Sequence, residues 1–278
     1  MESYVCTVAG GKGGVGRTTT ALNVGSALET REYETVVVDV DLGMSNVATM
    51  VGIDPEGTIH DVLAGTATVD ETLVELESGL TALPGEWEID AYGEADAAKL
   101  RTVVETLRND YDVILLDTSA GISHETTVAI GLADGTVLVT TGSDVSMADT
   151  LKTEQLVERV GGNVLGTVLT RVTDETQFTA ARERLDLPVL GAVPEDTALA
   201  SDPVVVTSDS SPACEAYSQL TDSLVRVIFE GAEPETLDPV FEPAWVDADD
   251  TVQEAVEAEE TEGEPDEDDD DDVLGLFN

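Results

Sequence analysis

The ten residues Gly10-Gly11-Lys12-Gly13-Gly14-Val15-Gly16-Arg17-Thr18-Thr19 constrain this chain more than any other stretch. They follow an apolar run, Tyr4 to Ala9, that reads as a buried strand, and they open a helical stretch over 18–30. A glycine-rich turn between a strand and a helix is where a phosphate loop belongs. Glycines let the backbone turn tightly and aim its N–H groups at phosphate oxygens, and the helix N-terminus adds a favourable dipole. Thr18 is placed to ligate Mg²⁺ through its hydroxyl. Gly11, Lys12, Gly13, Gly14, Val15, Gly16, Arg17, Thr18 and Thr19 therefore form the first candidate nucleotide-binding set. A turn that holds no ligand is disfavoured, because spacing and context agree.

The rest of the chain supplies the sheet such a loop needs. Apolar runs at 34–39, 80–83, 112–117, 136–140, 163–169 and 188–193 read as strands. Helical stretches lie within 58–76 and at 94–108, 124–132, 146–159 and 213–229. Alternating strands and helices predict an α/β fold, a mostly parallel twisted sheet with helices on both faces in three layers. That domain spans 1–230. After Arg226 no basic residue occurs, and 231–278 carries four prolines, many acids and the run Asp268 to Asp272. Such a segment buries too little apolar surface to offset its ordering entropy, so it reads as a disordered acidic tail.

Carboxylates stand where a sheet of this kind binds ligands, at the carboxyl ends of its strands. Val36-Val37-Val38-Asp39-Val40-Asp41 ends one strand, so Asp39 and Asp41 should face the phosphates. Val113-Ile114-Leu115-Leu116-Asp117 ends another, and Asp117 is a candidate Mg²⁺ ligand acting through water. In a chain this acidic, solvated loop acids remain the competing reading for the first pair.

With those motifs in hand, the sequence resembles the MinD/ParA group of P-loop ATPases over about residues 3–229. KGGVGRTT is similar to that group's deviant Walker A loop, and Lys12 matches its signature lysine. The resemblance implies an ATP-dependent homodimer in which Lys12 reaches the partner's phosphates. The stretch DVDLGMSNVATMVG is similar to the group's first switch segment, as in MinD proteins. By that similarity Asp41 orients the attacking water, and Asp39 supports the Mg²⁺ shell beside Thr18 and Asp117. Thr140 to Ser146 looks like the loop after the following strand, and Thr118 to Ile122 resembles the second switch. Thr170-Arg171 and Val193-Pro194-Glu195-Asp196 occupy the positions that flank the base, so Thr170, Arg171, Pro194 and Asp196 join the nucleotide set.

Three departures matter. Arg17 stands where the group has lysine; it keeps the charge but is planar and bulkier. Either a lysine-poor chain tolerates arginine there and hydrolyses ATP, or nucleotide binds and turnover is slow or absent. Ser119 replaces the usual proline of the second switch, and Thr170 replaces the asparagine that reads adenine.

Composition narrows the classes further. Fifty-nine acids against twelve bases give a net charge of −47, and only three lysines occur, Lys12, Lys99 and Lys152. Salt screens the self-repulsion of such a chain, which points to a cytosol of very high salt and an extreme halophile. Nucleic-acid and anionic-membrane surfaces need clustered Lys and Arg, so a DNA-partition role ranks third. Two cysteines, Cys6 and Cys214, cannot supply the ligand sets of iron–sulfur relatives. No run approaches the ~20 apolar residues of a membrane span, and the N-terminus lacks a signal-peptide layout. A cytoplasmic protein is expected, with a peripheral seat at a membrane or cell pole left open. MinD proteins usually end in a basic amphipathic helix; here Val273-Leu274-Gly275-Leu276-Phe277 follows acid, which suits docking to a protein partner better than to anionic lipid. An inert tail is the equal alternative. The leading function is a dimerising ATPase switch that positions cellular components, with a non-hydrolysing nucleotide-binding scaffold as the alternative.

Overall fold

Val36, Val37 and Val38 are all fully buried, which a strand achieves only when both faces of its sheet are covered. The computed structural model describes residues 2–86, 95–207 and 211–246. Its strands are β1 (Tyr4–Gly10), β2 (Thr35–Asp39), β3 (Val74–Glu75), β4 (Thr81–Leu83), β5 (Val113–Ala120), β6 (Gly135–Thr141), β7 (Val164–Val172) and β8 (Val189–Pro194). They form one sheet in the order β3-β4-β2-β5-β1-β6-β7-β8. Every pairing is parallel except β3 with β4.

The helices are α1 (Arg17–Glu29), α2 (Val47–Val51), α3 (Ile59–Ala64), α4 (Leu100–Leu107), α5 (His124–Leu132), α6 (Asp144–Arg159), α7 (Glu175–Arg184), α8 (Ala198–Ser201) and α9 (Pro212–Glu230). Successive strand residues point to opposite faces. Val37, Leu115 and Val8 therefore pack with Leu22 and Leu28 of α1 and Tyr217 and Leu220 of α9. Val36, Val38, Ile114 and Leu116 pack on the other side with Ile59 and Leu63 of α3 and Leu100 and Val103 of α4. The α/β three-layer architecture expected from the sequence is the one observed. Among the described residues, no helix is long and apolar enough to cross a membrane.

Several boundaries differ, each for a local reason. Helix in the 58–76 stretch is confined to α3, ended by Gly65 at φ 87. Val74–Glu75 instead runs back against β4 through a turn at Gly79, closed by Leu76 N–H donating to Leu80 O at 2.9 Å. The sequence reading places no helix between β7 and β8, yet α7 lies there. Only Phe178 and Ala181 of it are buried, so its ten residues carry almost no apolar stripe.

The domain also continues past its expected end at 230. Val240 pairs with Gly191 along β8, its N–H donating to Leu190 O at 3.0 Å and its carbonyl accepting from Ala192 N–H at 2.7 Å. Phe241 stacks on Phe178 with centroids 4.5 Å apart, and Trp245 and Val246 are buried. Three apolar anchors and an open strand edge hold 231–246 on the body, against the expectation of a tail from 231. The remainder of that expected tail, with Asp268 to Asp272 and Val273 to Phe277, lies outside the described residues.

Candidate functional site

The loop from Gly10 to Gly16 leaves the carboxyl end of β1 and turns into α1 without a side-chain cap. Gly16 occupies the cap position at φ 89, and Gly14 sits at φ 74. Both are left-handed conformations open mainly to glycine. Gly11 lies so close to the α6 backbone that a Cβ there would overlap the Asp149 carbonyl. The loop is thus pinned between the sheet and α6, and the N–H groups at the start of α1 have no side-chain cap.

Arg17 folds back across this loop. Its Nη1 donates to Gly10 O at 3.2 Å and Lys12 O at 3.3 Å, while its Nε is buried with no hydrogen-bond partner. Burial pulls the guanidinium below its ordinary pKa, and the charges of Asp117 and Asp41 push it back up. Lys12 is exposed, and its side chain makes no ion pair among the described residues.

The three candidate carboxylates converge below and beside the loop, but their roles divide. Asp39 and Asp117 are register partners on β2 and β5, both fully buried. Asp39 Oδ1 accepts from Asp41 N–H at 3.2 Å, and Oδ2 accepts from Asn46 N–H at 3.1 Å and Val47 N–H at 3.2 Å. Its bonding capacity is spent on holding the loop that follows β2. Neither oxygen of Asp117 has a hydrogen-bond partner. Thr18 Oγ1 lies close enough to lower the Asp117 pKa, yet its hydrogen bond goes to Asn46 Oδ1 at 3.0 Å. Burial raises the pKa of Asp117 and of Asp39; the Asp39 charge raises Asp117 further, and the Asp41 charge raises Asp39. Two such groups cannot both ionise cheaply without a cation.

Orphaned, buried carboxylate oxygens beside a threonine hydroxyl fit a divalent cation. Among the described residues no cluster of three or more His, Cys, Asp or Glu could hold a metal alone. That suits Mg²⁺, which is bound through one or two carboxylates together with phosphate and water. Asp117 and Thr18 would be the residues to hold it, while the Asp39 oxygens accept from the N–H groups of the 41–47 loop.

Asp41 heads that loop. Its Oδ1 accepts from Met44 N–H at 3.1 Å, and its carbonyl accepts from Ser45 Oγ at 2.9 Å. Burial raises its pKa, and the Arg17 charge lowers it. Asp41, Gly13, Gly14 and Arg17 line a cleft of about 550 Å³ with Ser119 and Ser123 on the facing wall. Without the usual proline, Ser119 bonds laterally: its Oγ lies 2.9 Å from Ser123 Oγ and 3.0 Å from Thr126 Oγ1.

A second cavity of about 330 Å³ opens on the other side of the loop, lined by Gly16, Thr19, Thr170, Arg171, Pro194 and Asp196 among others. The candidate base-flanking residues therefore do come together. Their polar atoms are largely committed elsewhere. Thr170 Oγ1 lies 2.6 Å from Val15 O and 3.0 Å from Thr140 O, sharing one proton between two carbonyls. Asp196 accepts from Ala198 N–H at 2.9 Å and Ala213 N–H at 3.0 Å, tying α8 to α9. Arg171 is exposed and held at φ 53, a left-handed backbone uncommon for arginine.

Two participants went unrecognised in the sequence. Asn46, inside the switch-like stretch, receives the Thr18 hydroxyl. His60, buried on α3, bonds Leu42 O with Nε2 at 2.9 Å and accepts from Glu86 N–H on Nδ1 at 3.0 Å. Its only sequence signal is rarity, since the chain has two histidines.

Known proteins share this fold. Residues 6–204 match the CobQ/CobB/MinD/ParA nucleotide binding domain. An uncharacterized ATP-binding protein of Methanocaldococcus jannaschii is 31% identical over 239 residues, 83% of this chain and 90% of the relative. The crystal structure of the Pyrococcus furiosus cell division ATPase MinD superposes with a TM-score of 0.76 at 30% identity, covering 82% of this chain and all of that one. The septum site-determining protein MinD of Pyrococcus horikoshii, complexed with Mg-ADP, gives a TM-score of 0.76 at 28% identity, over 83% of this chain and 99% of that one.

Proposed function

The chain belongs to the CobQ/CobB/MinD/ParA nucleotide-binding family, and we propose that it is an ATP-dependent dimerising switch of the MinD kind, positioning other components of the cell. The observation that carries this reading is the meeting of the phosphate loop, Thr18 and the unpartnered Asp117 carboxylate at one end of the sheet, with Asp41 on the cleft wall. When bound, Mg²⁺-ATP supplies the transferable phosphoryl group; the chain's own residues do the positioning. Loop N–H groups and the start of α1 cradle phosphate, Thr18 and Asp117 face the cation, and Asp41 orients water. Lys12, exposed and without an ion pair among the described residues, reaches a second copy. The base rests in the cavity between Arg171 and Pro194.

A second reading, a scaffold that binds nucleotide without turnover, is favoured by Arg17. Its guanidinium is tied to Gly10 O and Lys12 O within the loop, and its buried Nε lacks a partner. A rigid fork can hold ground-state phosphate without following the charge that develops during transfer. A DNA-partition role has no such support, given twelve bases in the whole chain.

ATP binding and phosphate release, measured together in molar KCl, separate these readings. Hydrolysis by the wild type that Asp41→Ala abolishes supports the switch. Binding without release, restored by Arg17→Lys, supports the scaffold. Absence of nucleotide binding would overturn both.

A further inference from the structure

His60 is 1% exposed, and both ring nitrogens are used. Nδ1 accepts from Glu86 N–H at 3.0 Å, so the ring proton sits on Nε2 and is donated to Leu42 O at 2.9 Å. Leu42 is the residue after Asp41. The ring thus ties the loop that carries Asp41 to two other parts of the fold, α3 and the 84–86 segment beyond β4. That segment is bound to α3 a second time, by Ile59 N–H donating to Pro84 O at 2.8 Å. Gly85 within it presses so closely on Ser45 and Asp39 that a side chain there would overlap the Ser45 hydroxyl.

The 41–47 loop is therefore held by contacts of three kinds, one of them the Thr18 hydroxyl on Asn46 Oδ1 at 3.0 Å. From beneath, the Asp39 carboxylate takes the N–H groups of Asp41, Asn46 and Val47. From the side, His60 takes the Leu42 carbonyl. Inside these anchors the loop is closed on itself through Asp41 O with Ser45 and Asp41 Oδ1 with Met44 N–H. The Asp39 and Thr18 bonds hold the two ends of the loop; His60 adds a hold at Leu42, next to Asp41, that limits rotation of the turn carrying that carboxylate. Removing the imidazole would also leave Leu42 O buried without a partner, and such groups recover bonding by moving.

We propose that His60 is a positioning residue for Asp41, fixing the direction in which that carboxylate faces the phosphate cleft. The proposal rests on the reading of Asp41 as the group that orients water. Misplacement of a catalytic group by about 1 Å costs roughly a hundredfold in rate while binding contacts survive.

The test compares the full chain with His60→Leu and His60→Gln in molar KCl, reading ATP affinity, kcat, KM and amide hydrogen exchange across 41–47. In His60→Leu, kcat should fall by about 10- to 100-fold, with ATP affinity unchanged. Exchange in 41–47 should quicken by about tenfold or more, as expected for a lost buried hydrogen bond. Glutamine, whose amide can both donate and accept, should recover part of both effects. Unchanged kcat in a wild type that hydrolyses, or a joint loss of ATP binding and kcat with faster exchange throughout the sheet, overturns the proposal. If the wild type releases no phosphate, the reading of Asp41 fails on its own. Exchange then decides His60 separately: no quickening of 41–47 in His60→Leu overturns its role as the loop's anchor.

Discussion

Asp39 and Asp117 stand opposite each other on β2 and β5, fully buried, and only Asp39 has hydrogen bonds to its carboxylate oxygens. Burial raises both pKa values above the ordinary carboxylate range, with a further raise from Asp39 on Asp117 and from Asp41 on Asp39. An acid whose pKa is raised on folding keeps its full stability at low pH and loses it as pH climbs from that ordinary range toward the raised value. In EDTA, Asp117→Asn should therefore match the wild type near about pH 4. It should become the more stable protein toward pH ~8, by about 1–3 kcal/mol for relief of an unpartnered buried charge. Mg²⁺-ATP should reverse the order, because the wild type then gains a ligand that the variant holds poorly. Thermal melts at stepped pH, with and without Mg²⁺-ATP, check both halves. A wild type that outlasts the variant in EDTA near pH 8 would remove the argument for a strained pair.

The charge imbalance makes a separate demand. Fifty-nine acids face twelve bases, and the ion pairs among the described residues, such as Arg31–Asp222 and Arg108–Asp134, use only a few of those acids. The screening length shrinks from about 10 Å in 0.1 M salt to about 3 Å in 1 M. Stability should therefore rise steeply with KCl, each 1 kcal/mol gained adding about 2–4 °C to the melting temperature in a chain of this size. Melts followed by circular dichroism between 0.1 and 3 M KCl are the measurement. A flat melting temperature would show that the acids are no burden on the fold.

Thr170 stands where an adenine-reading side chain was expected, yet its hydroxyl sits under the phosphate loop, 2.6 Å from Val15 O. Thr170→Val keeps the shape and removes that bond. The buried Val15 carbonyl then lacks its donor, at a cost of about 1–3 kcal/mol in denaturant unfolding. The loop should also loosen, weakening ATP by about tenfold, the equivalent of 1.4 kcal/mol. If affinity falls while unfolding is unchanged, the hydroxyl touches nucleotide and is not a support for the loop.

Which of these features could be read in advance follows a physical divide. The loop at 10–19, the buried strands and the carboxylates at their ends were legible because each is written locally, as a glycine spacing or an apolar run ending in Asp. Helix α7 was not, because it rests on the sheet edge through Phe178 and Ala181 alone and shows little periodicity. The division of labour between Asp39 and Asp117 was also hidden: both end an apolar strand, and only the path of the 41–47 backbone decides which one is saturated. His60 depends on Leu42 and Glu86, 18 and 26 residues away, and no pattern joins the three. The end of the domain was misread because composition turns acidic at 231 while the packing continues to 246.

That continued packing makes the last prediction. The segment after α9 covers the open edge of β8 through Val240, stacks Phe241 on Phe178 and buries Trp245, whose Nε1–H donates to Glu215 Oε2 at 3.1 Å. Covering an edge strand satisfies its backbone and removes a template for pairing between chains. Trp245→Ala should cost about 3 kcal/mol, the low end for a buried aromatic, because the segment is short and can peel away from the sheet. Truncation after Glu230 should cost more and also expose β8, so without nucleotide the truncated protein should self-associate with rising concentration while the full chain does not. Denaturant unfolding gives the first quantity and sedimentation at several concentrations the second. Wild-type stability in both variants would return the boundary to 230. Loss of stability without self-association would mean that the segment works through its aromatic anchors and not by covering the edge.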